Sequence, residues 1–565
     1  MRTVYLGTAE TIMNAMMSGR SPLAGLDALT LASRPFGGAA LMLYINELSG
    51  FTEICDRYLG SGRSDSSPGA YLFTAIANRL VHPTSKNGIE EWYRKRSALY
   101  WLDDGGDELA GVTAKKDGRR LSLSGQNIWN YMDLLTDDAM DSIWRDVTTR
   151  IRESLSIKDE TFFFDTTNFF DYVDDETIEE KGNELTRRGY SKQHRSDKNQ
   201  VSLGLFMGGE SMIPYSHETY AGNVKDCTHF GDVVEDLKGF LKRFGRENVT
   251  LVIDKGCSTA ENVSRMKGYF FISTLKREEV PSSLLREELR ECCVNEKGRE
   301  VYSSSGEYDV KGVRAKVVCS FSESLRRKHE TRFRREMEKS EELFGSKEGH
   351  AFRSEKAAYR FAEKALPRNF RRAIKYDVTK TLDGNGFRLT WNRNEEAITR
   401  MRRDSFGRNF IFTTRLDWSD ERIIRSYRSM YRIENQFRLL HSSMLVPVCP
   451  VRHWTDQKIE AHIFLCMVGL LFARAIEYVA RTRGLVAPSH DEGVETTKPV
   501  SYSRIIDAAE NIQLVMTTSS ERAGTEEKRG RRRRLGFKLS NADEQFNRSI
   551  LETFELMRFV PGHRA

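Results

Sequence analysis

The chain is 565 residues long, too long for one hydrophobic core, and length alone points to three or four domains. Hydrophobic residues make up 39% of it, which excludes a wholly disordered polyelectrolyte. Lys and Arg number 88 against 81 Asp and Glu, and the net charge of +7 is compatible with a polyanionic partner without establishing one.

The eight cysteines, at 55, 227, 257, 292, 293, 319, 449 and 466, contain no CxxC pair. Adjacent Cys292 and Cys293 suit neither a zinc site nor an ordinary disulfide framework, so reduced thiols in a cytoplasmic protein are expected. No cationic start followed by an apolar core marks a signal peptide. The longest apolar run, "IFLCMVGLLFA" from Ile463 to Ala473, falls short of the ~20 residues that span a bilayer and reads as a buried helix.

In chain order, residues 1–155 read as a separate, mostly helical domain. "LTDDAMDSIWRDVTTRIRESL" places Leu135, Met140, Ile143, Trp144, Val147 and Ile151 on one helical face. From 160 to 275 strands and helices alternate, the pattern of an α/β layer. "TFFFDTT" and "QVSLGLFM" are strands joined by a polar arm, "DVVEDLKGFLKRFG" an amphipathic helix, and "NVTLVIDKG" a buried strand. Residues 276–385 interrupt that layer with charged helices, "SLRRKHETRFRREMEKSEELFG" and "SEKAAYRFAEKAL", whose faces are either solvated or turned to nucleic acid. Strands return in "GFRLTWN" and "RNFIFTTRLD", followed by one long helix from Ser419 through His441. Residues 486–501 read as a linker, and the cluster Arg531, Arg532, Arg533 and Arg534 as a tail disordered when free.

Three acids stand out. Asp165 follows Phe162, Phe163 and Phe164, and a carboxylate in that position must be compensated or exposed; it is a turn cap or a functional group. Asp254 in "LVIDKG" repeats the pattern. In open α/β sheets functional groups gather at the carboxyl ends of strands, and two such acids at one rim would call for a divalent cation with oxygen ligands, Mg²⁺ or Mn²⁺. Glu434 in "SYRSMYRIENQFRLLHSS" is the candidate third acid. On a continuous helix it shares a face with Tyr427, Met430, Tyr431, Phe437, Arg438 and His441, although a structural Glu434–Arg438 pair is an equal reading.

These residues belong to an ordered series: "FFFDTTNFF", "GYSKQHRSDKNQVSLGLFM", "IPYSHETYAGNVKD", "LVIDKG", "IFTTRLDWSDERIIRSYRSMYRIENQFR" and "PVRHWTDQKIEAHIFLCMVGLL". In that series the chain resembles the DDE transposases of bacterial and archaeal insertion sequences, in the branch whose glutamate lies in a Tyr-Arg-Glu-Lys signature. The resemblance covers most of 160–475. It implies an α/β ribonuclease-H-like catalytic core in which Asp165, Asp254 and Glu434 hold two Mg²⁺ or Mn²⁺ ions, with a large insertion between the second Asp and the Glu.

The implied organisation is a helical DNA-end-binding or dimerisation domain at 1–155 and the first part of the core at 156–275. The insertion follows at 276–385, the second part of the core with the Glu helix at 386–480, and a linker and basic tail at 481–565. The implied activity is cleavage at terminal inverted repeats and strand transfer to target DNA, in some relatives through a hairpin intermediate. The implied partners are double-stranded DNA and a second copy of the chain, with the protein on the cytoplasmic nucleoid. The alternative is a catalytically silent DNA-binding protein derived from such an element.

The pattern is broken at two places. Where the family has an arginine four residues before the glutamate and a lysine seven after it, this chain has Met430 and His441. Tyr427 and Arg438 are retained as expected DNA contacts. Lys192, His194, Arg195 and Lys198 in the polar arm, Lys255 beside Asp254, and Arg531–Arg534 are further candidates for phosphate contacts. His217 and Glu218 lack the second histidine of a metalloprotease helix. Trp391 is either core or a stacking surface for a flipped base.

Overall fold

The computed structural model describes residues 29–60, 67–103, 115–116, 119–120, 123–192, 195, 197–243, 249–295, 298–381, 385–442, 447–448, 451–491, 494–520 and 532–562. The fold is mixed α/β, with a large mixed sheet and several helical layers. The chain divides into two units, one built from the residues up to Val224 together with those from Arg432 onward, the other from Lys225–Tyr431.

In the first unit, the helix Asp456–Thr482 is apolar on nearly every side, from Ile459 through Ala480. A helix apolar all round must be buried all round. It is long and apolar enough to cross a membrane, yet its most apolar stretch is 89% buried inside the protein. Phe472 meets Phe51 edge to face at 5.7 Å, Lys458 donates to the Trp129 carbonyl, and Gln457 donates to the carbonyls of Met132 and Leu135.

The chain ends join the same unit. Strand Leu29–Pro35 pairs antiparallel with Gln513–Ser520, which pairs with Arg532–Ser540, and Tyr502 donates its hydroxyl to the Leu80 carbonyl. The expected boundaries at 155 and 481 therefore do not mark separate bodies among the described residues: apolar N-terminal helices find their cover in C-terminal ones, which periodicity alone cannot reveal. The expected linker at 486–501 contains the hairpin Val486–Asp491 and Val494–Pro499. Arg532–Arg534, expected as a tail disordered when free, are strand residues paired with Thr518–Ser520 at the edge of their sheet. Arg531 lies outside the described residues.

Three antiparallel strands complete this unit: Thr161–Asp171, Asn199–Gly208 in the centre, and Pro214–Ala221. Just before the first of them lies Asp159, 1% exposed. Its carboxylate accepts hydrogen bonds from the backbone N–H of Glu210 (3.1 Å) and Ser211 (2.7 Å), the Ser211 hydroxyl (2.7 Å) and the Tyr215 hydroxyl (2.8 Å). That saturation is what permits a buried carboxylate, and it fixes the hairpin that follows.

The second unit holds a six-stranded mixed sheet in the order Thr250–Ile253, Phe270–Thr274, Arg408–Thr413, Val313–Phe321, Glu300–Val310, Arg290–Val294. The first pair is parallel and the rest antiparallel. The expected interruption at 276–385 thus begins by extending the sheet. The hairpin turn Lys311–Gly312, with φ of 49° and 79°, is a two-residue turn with both central residues left-handed, which a Lys-Gly pair signals less openly than Asn-Gly. Helices Glu323–Gly345, Glu355–Ala365 and Glu395–Asp404 then pack with the strands Ile374–Lys380 and Phe387–Arg393 around Phe333, Met337, Phe344 and Leu389. Trp391 packs against this cluster, 5.6 Å from Phe344, so its core role is the one observed.

Asp159→Ala should lower unfolding free energy by about 3 kcal/mol or more, because several buried donors lose their acceptor. Asp159→Asn should cost less. Urea denaturation of both variants measures the difference, and an Ala variant within error of wild type contradicts the assignment.

Candidate catalytic site

Asp165 is, with Phe170, one of two half-buried positions in a strand otherwise buried, and its neighbours Phe164 and Thr166 are 3% and 2% exposed. Its Oδ1 accepts the backbone N–H of Thr166 at 2.8 Å. Lys192, from the arm before the central strand, donates its ammonium to the Thr166 carbonyl (2.5 Å) and hydroxyl (2.9 Å), so a cation is held one residue from the carboxylate.

The arm is anchored by groups in the quoted motifs. The Tyr190 carbonyl accepts from Asn168 Nδ2 (2.9 Å) and Gln200 Nε2 (3.1 Å), and Gln200 also reaches the Gly222 carbonyl (2.8 Å). A Cβ on Gly189 would stand 2.0 Å from the Gly222 carbonyl oxygen, so the close approach of these two turns demands glycine.

The long helix expected from Ser419 through His441 is two helices, Asp420–Arg428 and Tyr431–His441. At the break both the N–H and the hydroxyl of Ser429 donate to the Arg425 carbonyl (2.9 Å each), and the Met430 N–H closes a tighter turn onto the Tyr427 carbonyl (3.1 Å). Tyr427 therefore does not share a continuous face with Glu434; its hydroxyl lies 3.4 Å from Thr274 Oγ1 in the second unit.

The Glu434 helix is tied along the Asp165 strand at two places. Arg432 Nη1 donates to the Gly209 carbonyl (2.7 Å), and Gly209 N–H in turn donates to the Thr161 carbonyl (2.8 Å) at the start of the strand. Nine residues on, His441 Nε2 lies 3.1 Å from Thr167 Oγ1 and its ring packs 4.7 Å from Phe169. Helix and strand thus run the same way, with Glu434 between the ties on one and Asp165 between them on the other. Glu434 is exposed and lies seven residues, about two turns, before His441 on the same helix. It also lies in the first turn, where the helix dipole favours a carboxylate.

Asp254 ends the strand Thr250–Ile253 in the second unit. It is exposed, its Oδ2 lies 3.4 Å from Gly256 N, and Lys255 beside it is exposed too. Its turn is held by Lys311, which donates to the Ser258 carbonyl (2.5 Å), and by Ser273, whose hydroxyl reaches the Asp254 carbonyl (3.4 Å). The donor chemistry suits a hard divalent cation, since all three groups are carboxylates at exposed or half-buried positions. Among the described residues, no three or more His, Cys, Asp or Glu side chains group as a metal centre.

The remaining candidates divide. Arg195 presents its guanidinium fork to Asp197, with both contacts at 2.9 Å, and Arg438 is exposed and bonded to Asn435. His441, expected at a DNA phosphate, instead packs on the strand, and burial pushes its pKa down to about 4, leaving it neutral at physiological pH. His217 is wedged between Trp144 (4.5 Å) and Phe464 (6.3 Å), with its pKa also lowered by burial to about 4. Lys198 lies over the Tyr172 ring at 5.0 Å. His194 lies outside the described residues. No disulfide joins the described cysteines.

One cluster in the first unit escaped sequence reading, although the block "PVRHWTDQKIEAHIFL" contains half of it. Lys86 Nζ lies 3.1 Å from His453 Nε2, Arg79 lies 3.3 Å from His462 Nδ1, and the two imidazoles stand 5.0 Å apart. Trp129 packs 5.0 Å from the His453 ring and lies beneath both Lys86 and Lys458. Desolvation, then the neighbouring cations, drives His453 to about 3 and His462 well down; desolvation and Arg79 bring Lys86 to about 8.

A histidine whose folded pKa is depressed costs the fold stability progressively across the pH window in which only the unfolded chain takes up the proton, and the loss is complete below the folded pKa. With His217, His229 and His441 near 4 and His453 near 3, stability is fully present above the ordinary histidine range near 6.5. It is lost progressively as pH falls from there toward 4 and below. Thermal melts from pH 8 to 4 should show that acid limb, and His453→Phe should flatten it by an amount on the order of 3 kcal/mol. A limb unchanged in the variant contradicts this origin.

No protein-family model matches the chain, and no curated protein does. A solved structure, the piggyBac transposase synaptic complex with hairpin DNA, aligns over 84% of this chain and 78% of its own, at 8% identity and a TM-score of 0.37. A TM-score that low does not establish a shared fold.

Proposed function

We propose that the protein is a metal-dependent DNA transposase, which cuts at the terminal inverted repeats of its own element and joins the ends to target DNA. Asp165, Asp254 and Glu434 are its catalytic carboxylates and would hold two Mg²⁺ or Mn²⁺ ions. The observation that carries this reading is the tie of the Glu434 helix along the Asp165 strand, which presents two acids far apart in sequence from adjoining elements. The ordered motif series around all three acids supports it as well.

When bound, such ions neutralise the scissile phosphate and lower the pKa of the attacking water or 3′ hydroxyl. The chain's own residues position and neutralise. Lys192, fixed on Thr166, sets a positive charge beside Asp165. Arg432 and His441 hold the Glu434 helix in register with the strand. Lys255, Arg438 and the exposed cations of the arm meet phosphates. Action on two ends calls for a homodimer.

The second reading, a silent DNA-binding descendant, is favoured by one observation. Met430 is 7% exposed and His441 is neutral, so neither supplies the cation its family position implies.

Cleavage of DNA carrying the element's ends, with Mg²⁺ or Mn²⁺, separates the two. The enzyme reading expects cutting by the wild type, reduced at least 10³-fold, as an order of magnitude, in Asp165→Ala, Asp254→Ala and Glu434→Gln, with end binding retained. End binding without cutting by the wild type supports the silent protein. Cutting without end preference or joining points to a general nuclease and overturns the proposal.

A further inference from the structure

The second unit contains a cavity of about 500 Å³ whose wall is formed by a strand pair, two helices and Tyr431. The strand pair Arg290–Val294 and Glu300–Val310 gives Cys293 and, at its turn, Arg299; helix Glu323–Gly345 gives Lys328; the end of helix Asp420–Arg428 gives Arg425 and Arg428; Tyr431 follows the break. No carboxylate lines it among the described residues.

Arg425 is partly neutralised by Glu421 at 2.8 Å and donates to the Val294 carbonyl at 3.2 Å. Arg299, Lys328 and Arg428 have no carboxylate at ion-pair distance among the described residues. Cations at a helix C-terminus complement the dipole, which accounts for Arg425 and Arg428. It does not account for Arg299 and Lys328 arriving from two other elements. Elsewhere on the same helix, Arg326 and Arg327 share Glu323, and Arg332 pairs with Glu336. Convergent, unneutralised cations repel one another unless an anion sits among them.

We infer that this cavity is a seat for the DNA backbone, with Arg299, Lys328 and Arg428 on successive phosphate oxygens and Arg425 supporting them. The assignment rests on the DNA reading above and adds to it a sequence-independent anchor whose Arg428 stands six residues before Glu434 in the chain. Tyr431, 43% exposed, closes the wall with a ring and a hydroxyl that can donate to a phosphate or sugar oxygen. The anchor also supplies, from different residues, the positive charge that Met430 does not.

The test uses the full chain and a duplex oligonucleotide of arbitrary sequence. Each phosphate-neutralising cation steepens the salt dependence of binding by about 0.9 in the log–log slope. The triple variant Arg299→Gln, Lys328→Gln, Arg428→Gln should therefore bind at least tenfold more weakly near physiological salt and lose slope by about 0.9 for each cation removed. Its thermal midpoint controls for folding. An independent readout is maleimide labelling of Cys293 in a Cys292→Ser background, with half-exposed Cys227 as the internal reference. Bound duplex should slow labelling of Cys293 severalfold and leave Cys227 unchanged.

An unaltered slope in a folded variant, or Cys293 labelling indifferent to bound DNA, overturns the inference. So does protection by pyrophosphate or by RNA of the same length where DNA gives none. Slope loss and protection in a protein that cuts no DNA uphold the seat while the transposase reading fails; cutting without either effect does the reverse.

Discussion

Two hydrogen bonds set the candidate site: Arg432 to the Gly209 carbonyl and His441 with the Thr167 hydroxyl. They lay an eleven-residue helix along a strand built almost wholly of buried side chains. Between the ties lie the half-buried carboxylate of that strand and an exposed carboxylate of the helix. The same region contains the contrasting case. Asp159 is enclosed and saturated by four donors, so it organises the hairpin and has no capacity for a solute. Asp165, by contrast, is half-buried and stands one residue from the Thr166 groups that hold Lys192.

Charge is organised by pairing rather than by total. The charged helix Glu323–Gly345, which could have been a basic face for nucleic acid, is laced with ion pairs, both internal and to Arg393 and Arg402. Such exposed pairs contribute little stability, but they cancel the field a polyanion would feel. Arg299, Lys328 and Arg428 converge on one cavity with no carboxylate at ion-pair distance among the described residues. The net charge of +7 gave no hint of that distribution.

Much of the local structure was legible because it follows from periodicity. The strands at Asp165 and Asp254, the amphipathic helix after Asp226 and the buried apolar helix around Cys466 all lie where the patterns put them. What was not legible is long-range. Nothing in "LTLASRP" says that its partner strand begins at Gln513, because pairing depends on topology and not on local pattern. The helix break at Ser429 has no proline or glycine to announce it. The arginines at 532–534 carry the charge pattern of a tail disordered when free, but they continue into the strand-like "LGFKLS" and share its strand. His441, a candidate phosphate ligand by position, became a packing residue once Thr167 and Phe169 were seen beside it.

The central claim is that three carboxylates from distant parts of the chain serve one metal site, and metal-directed cleavage of the protein backbone tests it most directly. Fe²⁺ added to the full chain with ascorbate and peroxide generates radicals that cut peptide bonds near the bound ion, and the fragments are mapped by mass. A shared site gives cuts beside Asp165, Asp254 and Glu434 together, all suppressed by excess Mg²⁺. Cuts beside only one of the three, or at other residues altogether, would contradict it.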